Sequence, residues 1–172
     1  ENEDGSVLAV FNGEIYNYLE LREELQAHGH SFKSASDTET IVHGYEEYGM
    51  NLPHKLNGMF SIAIWDRKKR QLILIRDRFG VKPLFYSFTA QRLIFASEIK
   101  SLLSLRDLDR SIDYEALSHY LSLRNVPAPF TIYKSIRSLL PGHMIIWNRD
   151  QFKISRWYQL TMSSQYTPED EV

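Results

Sequence analysis

Met59-Phe60-Ser61-Ile62-Ala63-Ile64-Trp65, the charged turn Asp66-Arg67-Lys68-Lys69-Arg70, and then Gln71-Leu72-Ile73-Leu74-Ile75: this stretch decides the architecture. Both runs are short and apolar at successive rather than alternate positions, the pattern of strands buried on two faces, and the turn between them makes an antiparallel hairpin. Two-sided burial requires one layer above and another below. Working outward, short strands are expected at residues 7–11, a buried strand ending in a sharp turn at Asn12-Gly13, and at 83–87, 92–96, 143–147 and 153–158. A helix is expected at 18–28, where Tyr18, Leu21 and Leu25 recur at helical spacing, Glu20, Glu23 and Glu24 take the other positions, and Gly29 stops it. Ser36-Asp37-Thr38-Glu39 fits a capping box that opens a second helix to about Tyr48, with Ile41, Val42, Tyr45 and Tyr48 facing inward and Gly49 ending it. Further helical stretches fall near 98–103 and from Asp113, an N-cap, to Leu121. The predicted class is α+β, a four-layer α/β/β/α sandwich of two mostly antiparallel sheets.

The chain has 172 residues, enough for one domain of ordinary size. Its hydrophobic share of 43% supplies a sizeable core and argues against disorder. Lys plus Arg number 20 against 22 Asp plus Glu, so the basic surplus that draws proteins to phosphate backbones is missing, and no nucleic-acid partner is expected. No apolar run approaches the roughly 20 residues that span a bilayer, so no membrane partner is expected and the cytosol is the expected compartment. Cysteine is absent, which excludes disulfides, thiolate metal sites and any thiol nucleophile among these residues. The chain opens without Met on a polar stretch, and residues 161–172 turn polar and acidic. A fragment is expected, with a domain at 1–160 that is incomplete at its N-terminus and a linker or the start of another domain at 161–172.

Few familiar catalytic arrangements are present. The six histidines, at 28, 30, 43, 54, 119 and 143, show no HExxH pattern, and no metal site is expected. The eight glycines form neither GxGxxG nor a Walker loop, so no cofactor is expected in this chain. Three segments remain. Asn12-Gly13-Glu14 closes the first strand, where a side-chain amide and an unobstructed backbone N–H could converge on one developing negative oxygen; a tight turn needing only those dihedrals is the reading that local sequence alone favours. Asp37 sits at a helix N-terminus, where an ionised carboxylate is stabilised and can meet a cation, or is simply a first-turn acid. Arg76-Asp77-Arg78-Phe79-Gly80-Val81-Lys82-Pro83 packs three cations into a punctuated turn that could bind an anion or brace a partner surface, or form a solvated, internally salt-bridged loop, the reading preferred here.

Taken in order, Phe11-Asn12-Gly13-Glu14-Ile15-Tyr16-Asn17, Ser36-Asp37-Thr38-Glu39, Asn57-Gly58-Met59-Phe60 and Ala63-Ile64-Trp65-Asp66 resemble the class II glutamine amidotransferase domain. Residues 76–86, Phe95-Ala96-Ser97-Glu98-Ile99-Lys100 and Leu140-Pro141-Gly142-His143 are similar to later motifs of the glutamine-hydrolysing asparagine synthetase branch, so the likeness spans about residues 7–158. The resemblance implies an N-terminal-nucleophile hydrolase sandwich lacking its first strands. In that family an N-terminal cysteine attacks the glutamine side chain with its own α-amino group as base. The segment carrying it would precede Glu1 by roughly 60 residues. By the same resemblance, the Asn12 side chain and the Gly13 N–H would form the oxyanion hole, Glu14 would line the glutamine pocket, and Asp37 would hold the substrate's α-ammonium group. The implied partners are glutamine and a separate synthetase domain using ATP and Mg to amidate aspartate. Uncovered apolar surface at the missing strands would favour a homo-oligomer, aggregation or local disorder. The alternatives are a nucleophile-less binding or scaffold module, and the glutaminase domain of a glucosamine-phosphate synthase or amidophosphoribosyltransferase.

Overall fold

The computed structural model describes residues 1–89 and 92–161. The hairpin forms as expected: β2 (Gly58–Asp66) pairs with β3 (Gln71–Arg76), Ala63 opposite Leu74, through a turn in which Arg70 takes a positive φ of 50°. β1 (Val7–Ile15) lies against β2, and β7 (His143–Trp147) and β8 (Phe152–Arg156) extend the far side, giving an antiparallel five-stranded sheet ordered β1-β2-β3-β7-β8. A second sheet runs β5-β4-β6, from β5 (Arg92–Ala96), β4 (Phe85–Thr89) and the two-residue β6 (Arg137–Ser138).

Period-two alternation sends the apolar residues of the large sheet to two different cores. Phe60, Ile62, Ile64, Ile73, Ile75 and Met144 meet Leu21 of α1 (Tyr18–Ala27) and Ile41, Val42 and Tyr45 of α2 (Asp37–Tyr48). Their in-between neighbours Ala63, Leu74 and Ile145 face Tyr86 and Leu93 of the second sheet and Leu84 just before it. The outer face of that sheet packs Phe85, Ile94 and Ala96 against Leu102, Leu108 and Ile136 beside α4 (Ile99–Leu102). The layers are therefore α/β/β/α, the sandwich that two-sided burial of the hairpin demands. Full burial of a side chain such as Phe60 contributes about 1.5–3 kcal/mol.

Local chemistry sets most boundaries. Ser36 Oγ accepts the Thr38 N–H and so caps α2, but only half of the expected box forms: the Glu39 carboxylate turns away to the N–H groups of Lys33 (2.7 Å) and Ser34 (2.8 Å). Asp113 caps α5 (Tyr114–Leu123) through the Ala116 N–H at 3.3 Å. β4 starts at Phe85, after Pro83, which has no N–H for the ladder. β8 ends at Arg156 because the next two N–H groups, of Trp157 and Tyr158, bond the Gly142 carbonyl. The short α3 (Leu52–Lys55) and β6 carry no periodic signal and were not expected. Of the expected linker, residues 162–172 lie outside the described residues.

Two expectations are corrected. The first strand does not stop in a turn at Asn12-Gly13; it continues to Ile15, with Asn12 opposite Ser61 and Gly13 opposite Phe60. Nor is it a buried strand: β1 is a sheet edge, and Val10 is 67% exposed. Gly13 has φ +152°, and a Cβ there would lie on the Met59 carbonyl oxygen and 2.8 Å from the Phe60 Cα. The glycine is required by close approach of the neighbouring strand rather than by chain reversal.

Candidate functional site

The open edge of β1 organises the site. In an antiparallel pair, alternate residues direct both backbone groups to the partner. Tyr16 donates its N–H to the Asn57 carbonyl, and Ser6 accepts from Arg67, so the even-numbered residues between them face β2. The odd-numbered residues face outward. At one end the Val7 N–H is taken by Asn2 Oδ1 (2.9 Å), and at the other the Ile15 N–H is taken by Asp37 Oδ2 (3.1 Å). Gly13 stands two residues before Ile15, with its N–H on the same outward side.

Gly13, Glu14 and Asp37 line one cleft of about 590 Å³ together with Ile15, Tyr16, Tyr18, Ala35 and Ser36. Asp37 is the first residue of α2, so its carboxylate lies in the positive field of the helix N-terminus. One oxygen bonds the strand edge, which leaves the carboxylate with further acceptor capacity beside the cleft. Glu14 is exposed at the rim.

Asn12 lines a smaller, separate cavity of about 190 Å³ between the two sheets, with Ser61, Ala63, Leu84, Phe95 and Ser97. Its Nδ2 donates to Ser97 Oγ at 3.0 Å, across 85 residues of sequence. Ser97 thus aims the amide, while the second N–H of that nitrogen stays available. The structure brings Gly13, Glu14 and Asp37 into one cleft and places Asn12, the adjacent residue of β1, in a separate cavity between the sheets. Ser97, Tyr16 and Tyr18 complete the surroundings; Ser97 belongs to the segment Phe95-Ala96-Ser97-Glu98, where a small polar residue directly after an apolar strand is the signal that marks it.

The Arg76 to Pro83 turn contrasts with this edge. Asp77 is 1% exposed, and its carboxylate accepts N–H groups from Phe60 (3.2 Å), Phe79 (3.1 Å), Val81 (3.0 Å) and Lys82 (3.0 Å). The Arg76 guanidinium donates to the carbonyls of Lys82 (2.8 Å), Gly80 (2.9 Å) and Leu139 and to Ser138 Oγ (3.1 Å). Burial draws the Arg76 pKa below its ordinary value, opposed by the charge of Asp77. Gly80, at φ +68°, leaves no room for a side chain: a Cβ would stand 2.7 Å from Pro141 Cγ. The loop is internally braced, as preferred, but by buried bonds to backbone rather than by solvated salt bridges.

A family model described as a glutamine amidotransferase domain matches residues 1–158. The glutamine-hydrolyzing asparagine synthetase 2 of Bacillus subtilis is 49% identical over 149 residues, covering 84% of this chain and 20% of that protein. Asparagine synthetase 1 of the same organism is 39% identical over 171 residues, covering 99% of this chain and 27% of the relative. The chain thus spans between a fifth and about a quarter of these relatives' length. Among solved structures, the glutamine phosphoribosylpyrophosphate amidotransferase of B. subtilis aligns with a TM-score of 0.62 at 23% identity, over 93% of this chain and 31% of that one. That likeness is one of fold, and it agrees with the two-sheet sandwich. With the family model covering nearly the whole chain, this polypeptide belongs to the glutamine amidotransferase domain family, in the class II, N-terminal-nucleophile architecture.

Proposed function

We propose that this chain supplies the substrate-holding and oxyanion-stabilising part of a glutaminase site within a glutamine-hydrolysing asparagine synthetase. The observation that carries the reading is the β1 edge, where Gly13 and the Asp37 carboxylate line one cleft and the adjacent residue, Asn12, holds its amide to Ser97 in the neighbouring cavity between the sheets. The α-ammonium group of glutamine binds Asp37, which fixes the side-chain amide against the strand edge. A thiolate attacking that amide carbon converts its carbonyl oxygen to an oxyanion, and the Gly13 N–H and Asn12 Nδ2 donate to it. Collapse, with the proton taken from the thiol passed to the leaving nitrogen, expels ammonia and leaves a thioester, which water hydrolyses to glutamate and the free thiol. Glu14 lines the entry to this pocket.

No residue of the 172 is a cysteine, so the thiol comes from polypeptide outside them, and the chain alone is expected to be inactive. The similarity to asparagine synthetases, at 49% and 39% identity, favours aspartate as the ammonia acceptor over the sugar-phosphate and phosphoribosyl acceptors of other class II enzymes. Activation of aspartate by ATP and Mg would belong to the separate synthetase domain. The test is glutamate release from glutamine, measured on the chain alone and on a version extended upstream by a segment that begins with cysteine. Activity only in the extended version is expected. Full turnover by the 172 residues alone would overturn the assigned nucleophile, and silence of both would leave the binding-module reading.

A further inference from the structure

We propose that His30, His43 and Glu46 form a binding site for one first-row transition-metal dication of the zinc type, seated between α2 and the loop that follows α1. The proposal departs from the sequence reading, which expects no metal. His30 lies in a loop while His43 and Glu46 share a helix, so no local motif joins them. In the fold, one donor atom from each of the three lies within 4.8 Å of the others.

The orientation of the groups is what a metal requires. His43 Nδ1 is 3.2 Å from Glu46 Oε2, and His30 Nδ1 is 3.9 Å from the same oxygen. Bonds of about 2.0–2.1 Å to a tetrahedral ion place donor atoms a little over 3 Å apart, so the His43–Glu46 pair already fits and His30 must move inward to join it. Behind each imidazole stands another carboxylate. His43 Nε2 is 3.6 Å from Glu39 Oε1, and His30 Nε2 is 3.4 Å from Glu47 Oε2. A carboxylate behind an imidazole holds the proton on the far nitrogen and leaves the near one's lone pair free for the ion.

Glu46 is supported in the same way. Its second oxygen accepts from Asn2 Nδ2 at 2.6 Å, and Asn2, itself 5% exposed, is fixed by its bonds to Val7 and Ser6. His43 is 1% exposed and has the Phe32 ring against its edge at 4.6 Å, which gives one dry wall. His30 and Glu46 reach solvent and provide the entry path. Two nitrogens and one oxygen suit zinc and its neighbours, whereas calcium and magnesium take all-oxygen sets. The segment closed by the ion, from His30 to His43, carries Asp37, so the metal would stiffen the loop that presents that carboxylate to the cleft.

The experiment is calorimetric titration of the tag-free chain with zinc chloride at neutral pH, with thermal unfolding at each stoichiometry. One equivalent bound and a higher Tm are expected. His30→Ala, at a partly exposed position, and Glu46→Gln, at an exposed one, should each weaken binding by at least about 10-fold, while His143→Ala leaves it unchanged. Cobalt should give the visible absorption of a four-coordinate ion in the parent chain and lose it in His30→Ala. The site is overturned if no saturable binding occurs, if both substitutions leave affinity intact, or if Tm varies with pH but not with zinc, which would make the cluster an ion-pair network only. Circular dichroism confirms that each variant is folded. None of these readouts involves glutamine, so the result stands apart from the glutaminase reading.

Discussion

Two regions gather polar groups to a similar density and use them in opposite ways. At the Asp77 turn, one carboxylate and one guanidinium meet eight partners, all within the chain, and Asp77 is closed to solvent. At the β1 edge, the side chains of Asn12 and Asp37 each bond one partner, and each faces an open cavity. Charge density does not separate a structural cluster from a functional one. What separates them is whether hydrogen-bonding capacity is satisfied by the fold or left facing a cavity.

Breaking the contrast from the structural side should give the largest effect. Asp77→Ala strips the acceptor from four backbone N–H groups and should cost about 3–5 kcal/mol in denaturant unfolding. A loss below about 1 kcal/mol would mean the turn is not a brace. From the functional side, Asn12→Ala in the cysteine-extended protein should lower glutamine turnover about 100- to 1,000-fold while the unfolding midpoint stays close to the parent's. Unchanged turnover would clear Asn12 of the role. Asp37→Asn keeps an acceptor for the Ile15 N–H but removes the negative charge, so KM for glutamine should rise roughly 10-fold or more with kcat less affected.

The smallest effect sharpens the comparison at the loop joining the cleft to α2. Glu39 has its pKa lowered from an ordinary 4.5 to about 2 against the opposing pull of burial, through bonds from Ser34, Lys33 and His43. A carboxyl with a depressed folded pKa contributes stability that is fully present above the unfolded value and is lost as pH falls from 4.5 toward 2. Acid unfolding of Glu39→Gln should therefore be flatter across that window than in the parent chain, with the two converging at its lower end.

Much of this was legible in the residues because its causes are local. Successive apolar positions in 59–65 and 71–75 announce two-sided burial, and both the hairpin and its flanking layers follow. Ser36 and Asp113 mark helix starts because a short side-chain oxygen can reach an N–H two or three residues ahead. The misreading of Asn12-Gly13 is instructive. Those residues favour a turn in isolation, but pairing with Ser61 and Phe60, nearly fifty positions away, holds them extended. Long-range pairing overrides local preference, and nothing near residue 12 reports it. The bond to Ser97, and the meeting of His30 with His43 and Glu46, are hidden for the same reason.

The register of β1 carries one more consequence, visible in isotope labelling. Amides of Leu8, Val10, Asn12 and Glu14 point into the ladder with β2 and should exchange with deuterium slowly, whereas those of Ala9, Phe11 and Gly13 face outward and should exchange fast. Val7 and Ile15, anchored by Asn2 and Asp37, would bracket the alternation as slow amides at its two ends. An added strand on that edge would turn the alternating record into a uniform one.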